Sequence, residues 1–288
     1  MEIKRVGVVG CGFMGSGIVQ ASAQAGYEVV VSDISEEMLK KGLSSIEYFL
    51  KRGVEKGKIA EGEKEATLLR IKGTSDINDF SSCDLVIEVV TEDLELKKRV
   101  FAELDRVCPQ GTILATNTSC LPVIELAMVT GRPEKVVGTH FFVPVPLNPL
   151  LELVRTTRTS QETLEAAKGF GESLGKEIVV AQDTPGFIFN RLQLAFKLNA
   201  TRMLEAGLAT AEEIDKSMTV GAGHPIGPLA TMDLTGLDVL YRVAQSIYEE
   251  TKDPQYAPPV LLRRMVASGW LGRKTGKGFY DYTSKEAK

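Results

Sequence analysis

One of the two histidines in the 288-residue chain lies where a carboxylate could act on it. His140 ends a predicted strand over 136–142, and an apolar run resumes at 151–154 after a proline-containing segment. Glu152 lies between two leucines of that run, where an unpaired carboxylate would be costly to bury. We therefore expect Glu152 to pair with His140, fix its imidazole tautomer and suit it to general acid–base catalysis. From these residues alone, a purely structural histidine is the alternative.

A glycine-rich loop near the N-terminus has the spacing of a dinucleotide-binding turn. It follows an apolar run and opens a predicted helix, so that glycines permit a tight turn, a close approach of pyrophosphate and close helix packing. The helix N-terminus would present its N–H groups to the phosphates. The loop comprises Gly10, Cys11, Gly12, Phe13, Met14 and Gly15.

Asp33 ends the second predicted strand, where a carboxylate accepts hydrogen bonds from the hydroxyls of the adenosine ribose. The same charge would repel a 2′-phosphate, so the sequence predicts NAD and not NADP. An FAD enzyme and a glycine turn without a nucleotide are the alternatives at this point.

The elements that carry these groups alternate in type through the first 184 residues. Apolar runs predict strands, and stretches with helical spacing predict helices between them. Strands that are apolar throughout and separated by helices indicate a parallel sheet covered on both faces. The predicted strands span 6–9, 28–31, 85–90, 112–116, 136–142, 151–154 and 178–180, and the predicted helices span 16–25, 34–50, 94–107 and 161–174.

The pattern changes near Pro185, beyond which we predict no strand. Helices are expected over 187–206, 210–220, 235–251 and 258–268. The predicted fold class is therefore α/β, a Rossmann-type, mostly parallel sheet over residues 1–184 followed by an all-helical domain over 185–288. The helical region has more apolar surface than a small bundle needs to cover itself, which predicts a homodimer through this region.

Composition excludes several classes of function. With 34 Lys and Arg against 38 Asp and Glu, the net charge of −4 suits neither nucleic-acid phosphates nor an anionic membrane. The four cysteines form no C-x-x-C pair, and two histidines cannot complete a zinc cluster, so no metal is expected. Scattered cysteines, no signal-peptide pattern and no apolar run near ~18 residues predict a cytoplasmic protein.

Several motifs in the same order resemble the 3-hydroxyacyl-CoA dehydrogenase family, most closely its short bacterial 3-hydroxybutyryl-CoA dehydrogenases. The likeness covers almost the whole chain. It implies NAD-dependent oxidation of (S)-3-hydroxyacyl-CoA, with 3-hydroxybutyryl-CoA as the expected substrate, to 3-ketoacyl-CoA and the reverse reaction. Besides the glycine loop, the motifs lie at 87–98, 115–119, 138–142, 151–154, 184–191, 223–228 and 269–280.

The resemblance also implies roles for individual residues. His140 is the expected catalytic base and Glu152 the residue that orients it, while Ser119 and Asn190 match positions that contact the reacting oxygens of the substrate. The helical domain is expected to bind substrate and to dimerise. Positions matching cofactor contacts are Glu92, Lys97, Asn117, Ser119, Val143 and Lys274, and Arg52 and Lys56 match positions that bind the CoA phosphates.

Read without the family, four of these residues have simpler explanations. Lys97 fits a solvated helix position, and Lys274 fits a surface loop. Arg52 and Lys56 share one helix face, where basic side chains near a C-terminus are favoured by the helix dipole.

Val143 departs from the family pattern, which has an asparagine at this position beside the nicotinamide. An isopropyl group cannot make the hydrogen bond of that amide. Two alternatives therefore stay open from the sequence, a hydroxyacid dehydrogenase with a non-CoA substrate and a non-catalytic NAD-binding protein. A third possibility, limited to this position, is that Val143 points into the core as a packing residue.

Overall fold

The structure is a computed structural model that describes residues 2–283. The chain divides into two units, Met1–Thr184 and Pro185–Lys288. In the part of the chain that the structure describes, every named strand belongs to the first unit. The second unit consists of helices joined by turns.

Eight strands of the first unit form one sheet in the order β3-β2-β1-β4-β5-β6-β7-β8. Neighbouring strands are parallel except for β6 and β7, which run antiparallel. The central strands are rich in buried Val, Ile and Leu, as expected for a sheet with both faces covered. The strands are β1 Arg5–Val9, β2 Glu28–Ser32, β3 Ile71–Thr74, β4 Leu85–Glu88, β5 Ile113–Thr116, β6 Val136–Phe141, β7 Leu150–Arg155 and β8 Glu177–Gln182.

Six helices surround this sheet, and several begin at a side chain that caps the free N–H groups of the first turn. Ser35 accepts a hydrogen bond from the Met38 amide at 3.2 Å, and Asp93 accepts one from the Leu96 amide at 2.7 Å. The helices are α1 Phe13–Gln24, α2 Glu36–Glu55, α3 Glu61–Leu69, α4 Leu94–Val107, α5 Val123–Ala127 and α6 Gln161–Ser173.

Five helices build the second unit around an apolar core of its own. Leu198, Leu229 and Leu237 are fully buried members of that core. The helices are α7 Phe189–Glu205, α8 Ala211–Gly221, α9 Pro228–Thr235, α10 Leu237–Thr251 and α11 Val260–Ala267.

The predicted fold class, a Rossmann-type, mostly parallel sheet followed by helices, is confirmed. Three elements are not predicted from the sequence, namely α3, β3 and α5. Strand β3 forms the edge of the sheet beyond β2. Helix α9 is not predicted either, because Gly227 and Pro228 together are typical of a break between helices. Pro228 instead occupies the first turn of α9, where the missing N–H costs nothing because that group has no partner within the helix.

None of the helices within residues 2–283 is both long enough and apolar enough to cross a membrane.

Candidate functional site

The glycine loop connects β1 to α1 and leaves space beside its backbone. Gly10 has a φ of +105°, a conformation that side chains rarely adopt. A Cβ on Gly15 would lie 1.8 Å from the Gly10 carbonyl oxygen, so α1 can pack this close only with glycine there. A Cβ on Gly12 would meet nothing within 4 Å, which leaves open space where a pyrophosphate can reach the backbone. The loop therefore fits the phosphates of a dinucleotide.

Asp33 follows β2 directly and faces the glycine loop. Its Oδ2 accepts a hydrogen bond from the Cys11 amide at 2.6 Å, and its Oδ1 accepts one from the Ile34 amide at 2.7 Å. Each carboxylate oxygen has a second lone pair, so the two ribose hydroxyls of an adenosine can still be bound. Phe13 and Met14 begin α1, and the ring of Phe13 is exposed.

The pair predicted from the sequence is present in the antiparallel ladder between β6 and β7. His140 and Glu152 are opposite each other in the register. Glu152 Oε2 lies 2.8 Å from His140 Nδ1, and both side chains are buried. The ring of Phe142 packs at 4.4 Å between centroids against the imidazole. This arrangement fixes the orientation of the ring and assigns Nδ1 to the carboxylate.

A second buried network lies at the carboxyl ends of β4 and β5. Lys97 Nζ donates to Glu88 Oε1 at 2.7 Å and to the Val90 carbonyl at 3.2 Å, and it lies 3.5 Å from Glu92 Oε2. Glu88 also accepts hydrogen bonds from the Val90 amide at 2.6 Å and the Thr116 hydroxyl at 2.7 Å. The side chains of Glu88 and Lys97 are 0% exposed. Both charges therefore depend on each other and on this network.

The side chain of Lys97 lies in a different environment from the solvated one that the sequence alone favoured. The prediction of a solvated lysine is wrong, because α4 places it on the buried face that also carries Phe101 and Leu104. Lys97 has no exposed surface and contacts the partly exposed Glu92, and its role at the cofactor stays a prediction. Glu88 was missed altogether, although it is an acidic residue inside an apolar strand, the same signal that identified Glu152.

Glu92 links this network to the predicted substrate-binding loop after β5. Its Oε1 accepts hydrogen bonds from the Thr118 hydroxyl at 2.5 Å and from the Ser119 amide at 2.8 Å. Asn117 Oδ1 accepts a hydrogen bond from the Phe141 amide at 2.9 Å, which ties the end of β5 to the end of β6. The chain positions of Asn117 and Ser119 are therefore fixed by polar contacts on both sides of the loop.

The remaining predicted residues lie elsewhere in the two units. Arg52 and Lys56 are exposed at the C-terminal end of α2 in the first unit. Asn190 is in the first turn of α7 in the second unit. Lys274 lies in a short 3-10 turn of that unit, where its Nζ donates to Asp238 Oδ1 at 2.5 Å.

The acidic, histidine and cysteine side chains of the described chain are dispersed or paired with other groups. Across residues 2–283, no group of three His, Cys, Asp or Glu side chains is arranged to hold a metal ion. The four cysteines are free and buried. Burial raises the pKa of the Cys11 thiol to about 12, so this thiol stays protonated beside Asp33 at neutral pH.

Comparison with known families decides between the cofactors that a glycine loop can bind. The model of the 3-hydroxyacyl-CoA dehydrogenase NAD binding domain matches residues 5–184, and that of the 3-hydroxyacyl-CoA dehydrogenase C-terminal domain matches residues 186–282. The chain belongs to the 3-hydroxyacyl-CoA dehydrogenase family. The resemblance inferred from the sequence motifs is confirmed, and the cofactor of the first unit is NAD and not FAD.

Relatives within this family match the chain from end to end. It is 47% identical over 282 residues to 3-hydroxybutyryl-CoA dehydrogenase of Mycobacterium tuberculosis, covering 97% of this chain and 99% of that protein. It is 42% identical over 285 residues to a probable 3-hydroxybutyryl-CoA dehydrogenase of Bacillus subtilis, covering 99% of each. The crystal structure of (S)-3-hydroxybutyryl-CoA dehydrogenase from Ralstonia eutropha superposes with a TM-score of 0.96 at 42% identity, covering 98% of this chain and all of that one.

Val143, the departure from the 3-hydroxyacyl-CoA dehydrogenase pattern, lies on the surface just after β6. Its side chain is 53% exposed, so the alternative that it packs into the core is wrong. Its carbonyl accepts a hydrogen bond from Asn148 Nδ2 at 3.3 Å, and Lys176 Nζ holds the same loop by donating to the carbonyls of Val145 and Asn148. The loop is thus fixed by its backbone, while the Val143 side chain is available for contact with a ligand.

Proposed function

We propose that this protein is an NAD-dependent (S)-3-hydroxyacyl-CoA dehydrogenase that oxidises 3-hydroxybutyryl-CoA to acetoacetyl-CoA and catalyses the reverse reaction. The observation that carries the proposal is the buried His140–Glu152 pair, held at 2.8 Å at the end of β6 in an NAD-binding unit. A histidine oriented by a carboxylate is suited to move a proton to and from an alcohol oxygen.

In the proposed mechanism, His140 takes the proton of the substrate's 3-hydroxyl group. Because Nδ1 is bonded to Glu152, proton exchange with the substrate is assigned to Nε2. The Glu152 carboxylate stabilises the imidazolium that forms. Bound NAD⁺ would accept the hydride that leaves C3. In the reverse direction, protonated His140 donates to the 3-keto oxygen.

Four further residues are proposed to position the substrate and the cofactor. Ser119 and Asn190 would contact the reacting oxygens of the substrate. Glu92 would contact the cofactor while it holds the Ser119 amide at 2.8 Å. Lys274 is proposed as a cofactor contact from the second unit.

The CoA moiety is proposed to lie along α1 and α2. An apolar cavity of about 240 Å³ lies between α1, α2 and the loop after β6, and Phe13, Phe49 and Leu147 are among its lining residues. Arg52 is one helical turn beyond Phe49 on α2, and Lys56 follows one turn later. An apolar cavity beside two exposed cations suits a ligand with an apolar arm and terminal phosphates.

The second unit is proposed to bind substrate and to form a homodimer. Its described helices expose large apolar side chains, among them Leu192, Leu208 and Val220, which a second copy could cover. A cytoplasmic location is proposed from the four cysteines, which are all present as free thiols.

The deciding experiment is an absorbance assay of NADH oxidation by the purified protein with acetoacetyl-CoA. We predict that His140→Gln lowers kcat by at least ~10²-fold, the low end of general acid–base catalysis, because the amide cannot donate the proton. The matched control is His224→Gln, which changes the chain's other histidine and should retain turnover. Near-wild-type kcat in His140→Gln would exclude this residue as the acid–base group. Turnover of a short 3-hydroxyacid, with none of acetoacetyl-CoA, would favour the non-CoA alternative.

A further inference from the structure

Asp183 is the next-to-last residue of the first unit, and its carboxylate holds the start of a helix. Its Oδ1 accepts a hydrogen bond from the Val123 amide at 3.0 Å, and its Oδ2 accepts one from the Ile124 amide at 2.7 Å. These amides belong to the first turn of α5, where N–H groups have no partner within the helix. Asp183 therefore satisfies two free donors of α5 with a side chain from a remote part of the chain.

The loop between β5 and α5 carries Ser119 and is held by a carboxylate at each end. Near its start, Glu92 accepts a hydrogen bond from the Ser119 amide at 2.8 Å. Within the loop, the Thr118 hydroxyl accepts one from the Leu121 amide at 2.9 Å. Asp183 holds the far end, which begins four residues after Ser119. The position of Ser119 therefore depends on Asp183 as well as on Glu92.

The backbone of Asp183 is fixed on the strand that supplies Glu152. Its amide donates to the Arg155 carbonyl at 3.0 Å, which continues the parallel pairing of β7 and β8 beyond Gln182. Glu152 precedes Arg155 in the same strand and pairs there with His140. Asp183 thus connects the strand of the candidate acid–base pair to the loop of Ser119.

The start of α5 also packs on β6, the strand that carries His140. A Cβ on Gly138 would lie 3.2 Å from Val123 Cγ2, so the valine sits against the strand where glycine leaves room. Gly138 and His140 are two residues apart in β6, and alternate residues of a strand share one face of the sheet. A shift of α5 would therefore move Ser119 relative to His140.

We propose that Asp183 is a positioning residue, which sets the place of the Ser119 hydroxyl relative to the His140–Glu152 pair. The proposal rests on the proposed function, in which Ser119 contacts the reacting oxygens of the substrate. Asp183 itself touches neither substrate nor cofactor. Its carboxylate fixes α5 through two hydrogen bonds, and α5 fixes the end of the loop that carries Ser119. Displacement of a group that binds a reacting atom is costly, because the reacting geometry allows little error.

The test is a double-mutant cycle with the full-length protein, in which NADH oxidation is measured with acetoacetyl-CoA. Asp183→Asn keeps the size of the side chain but replaces one acceptor oxygen by an amide donor that faces the helix. We expect this change to lower kcat/KM by about 10- to 100-fold. In a Ser119→Ala background, the same change should lower kcat/KM by less than about 2-fold, because the hydroxyl that Asp183 positions is gone.

The matched control is Asp84→Asn. Asp84 is also partly buried and accepts hydrogen bonds from two successive amides, those of Lys4 at 2.8 Å and Arg5 at 2.9 Å. It lies just before β4, at the amino ends of the parallel strands, whereas the candidate site lies at their carboxyl ends. This control should lower the urea midpoint and leave kcat/KM of the folded protein unchanged. If Asp183→Asn does not fold, Asp183→Glu, which keeps both oxygens but moves them by one methylene, takes its place with the same expected outcomes.

Equal fold losses for Asp183→Asn in the two backgrounds would overturn the proposal, because the carboxylate would then act independently of Ser119. A loss of kcat/KM in Asp84→Asn as large as that in Asp183→Asn would overturn it too, since the effect would then follow from lost stability. Failure of the proposed function is distinct, because the wild-type protein would then not reduce acetoacetyl-CoA.

Discussion

Buried carboxylates are stabilised in different ways in the two units. In the first unit, Glu88 bonds to the ammonium of Lys97, and Glu152 bonds to the imidazole of His140. In the second unit, Asp215 accepts hydrogen bonds from the Leu229 and Ala230 amides at 2.8 Å and from a tyrosine hydroxyl. The first arrangement places side chains relative to one another, whereas the second fixes a segment of backbone.

Asp233 shows the second arrangement most fully. Its oxygens accept hydrogen bonds from the amides of Phe279 and Tyr280 and from the Tyr282 hydroxyl, each at 3.0 Å. A Cβ on Gly278 would lie 2.0 Å from Asp233 Oδ1, so the segment can approach the carboxylate this closely only with glycine there. Asp233 thereby anchors the segment that follows the turn of Lys274.

Pairing with a side-chain cation and pairing with backbone amides and hydroxyls differ in how many groups share the charge of the carboxylate. The charge of Glu88 is balanced by the single cation of Lys97, although an amide and a hydroxyl also donate to its oxygens. The Glu88–Lys97–Glu92 network extends from the sheet to the Ser119 amide. A carboxylate bonded to several N–H and O–H donors shares the charge among them, and loss of one donor leaves the others. The two units should therefore respond differently to removal of a single charge.

The largest effect is expected where removal of one charge leaves another buried. Lys97→Met leaves Glu88 without its cation at 0% exposure, next to the charge of Glu92. We predict a loss of about 3–5 kcal/mol in the free energy of unfolding, measured by urea denaturation. The neighbouring Lys98→Met should shift the urea midpoint little, because the Lys98 pairs with Glu95 and Glu125 are at the surface. Equal effects of the two variants would show that the buried network is not coupled as described.

A smaller loss is expected from the second unit. Asp233→Asn removes a charge that is stabilised by two amides and a hydroxyl, with no cation among these donors. It also replaces one acceptor oxygen by an amide donor that faces them. We predict a loss of about 2 kcal/mol in the free energy of unfolding, together with faster hydrogen exchange at the Phe279 and Tyr280 amides. A loss as large as that of Lys97→Met, or unchanged exchange at these amides, would contradict the contrast between the units.

The same contrast explains which parts of the site could be predicted from sequence. Glu152 was identified because an acidic residue inside an apolar strand requires a partner, and His140 was the nearby candidate. Glu88 carries the same signal within 85–88, but the sequence alone favours a solvated helix position for its partner Lys97. The burial of Glu88 in β4 and of Lys97 in α4 can be predicted only when the two residues are recognised as a pair.

Backbone pairing is harder to predict, because its partners have no side-chain signature. Asp215 and Asp233 bind amides of residues remote in sequence, so their neighbours in the chain gave no indication of burial. The edge strand β3 was missed for a related reason, since Ile71–Thr74 is short and only partly buried. The central strands and long helices were predicted because their apolar periodicity is a local property.

Lys197 of α7, which is 8% exposed, belongs to neither arrangement, because no carboxylate among the described residues forms an ion pair with it. Its removal should therefore change the free energy of unfolding with the opposite sign. Burial lowers its pKa below the ordinary 10.5, so the unfolded chain binds more protons between the lowered pKa and 10.5. Wild-type stability should therefore rise with pH across that window, because the cost of the buried charge disappears. We predict that Lys197→Met gains about 1 kcal/mol at pH 7 and that this gain shrinks as the pH approaches 10.5, in urea titrations at several pH values. A variant that is less stable than wild type at pH 7 would indicate an intramolecular partner for this amine.

The smallest effect concerns Val143, an apolar side chain of the first unit at a position where the family resemblance predicts asparagine. If this position lies beside the nicotinamide, Val143→Asn should restore one hydrogen bond to the cofactor. We predict that the Kd for NADH falls by roughly 2- to 10-fold, or about 0.5–1.4 kcal/mol. Valine and asparagine have similar volumes, and the side chain is 53% exposed, so the melting temperature should change little.

Calorimetric titration with NADH tests this prediction, and Val129→Asn is the matched control. Val129 is also an exposed valine of the first unit, and it lies just after α5, apart from the loop that carries Val143. The control should leave the Kd for NADH unchanged. If Val143→Asn also leaves it unchanged, the loop after β6 does not place this side chain against the nicotinamide. The polar groups of the first unit left to hold the cofactor would then be the glycine loop, Asp33 and the Glu92 network, where every carboxylate already has a partner.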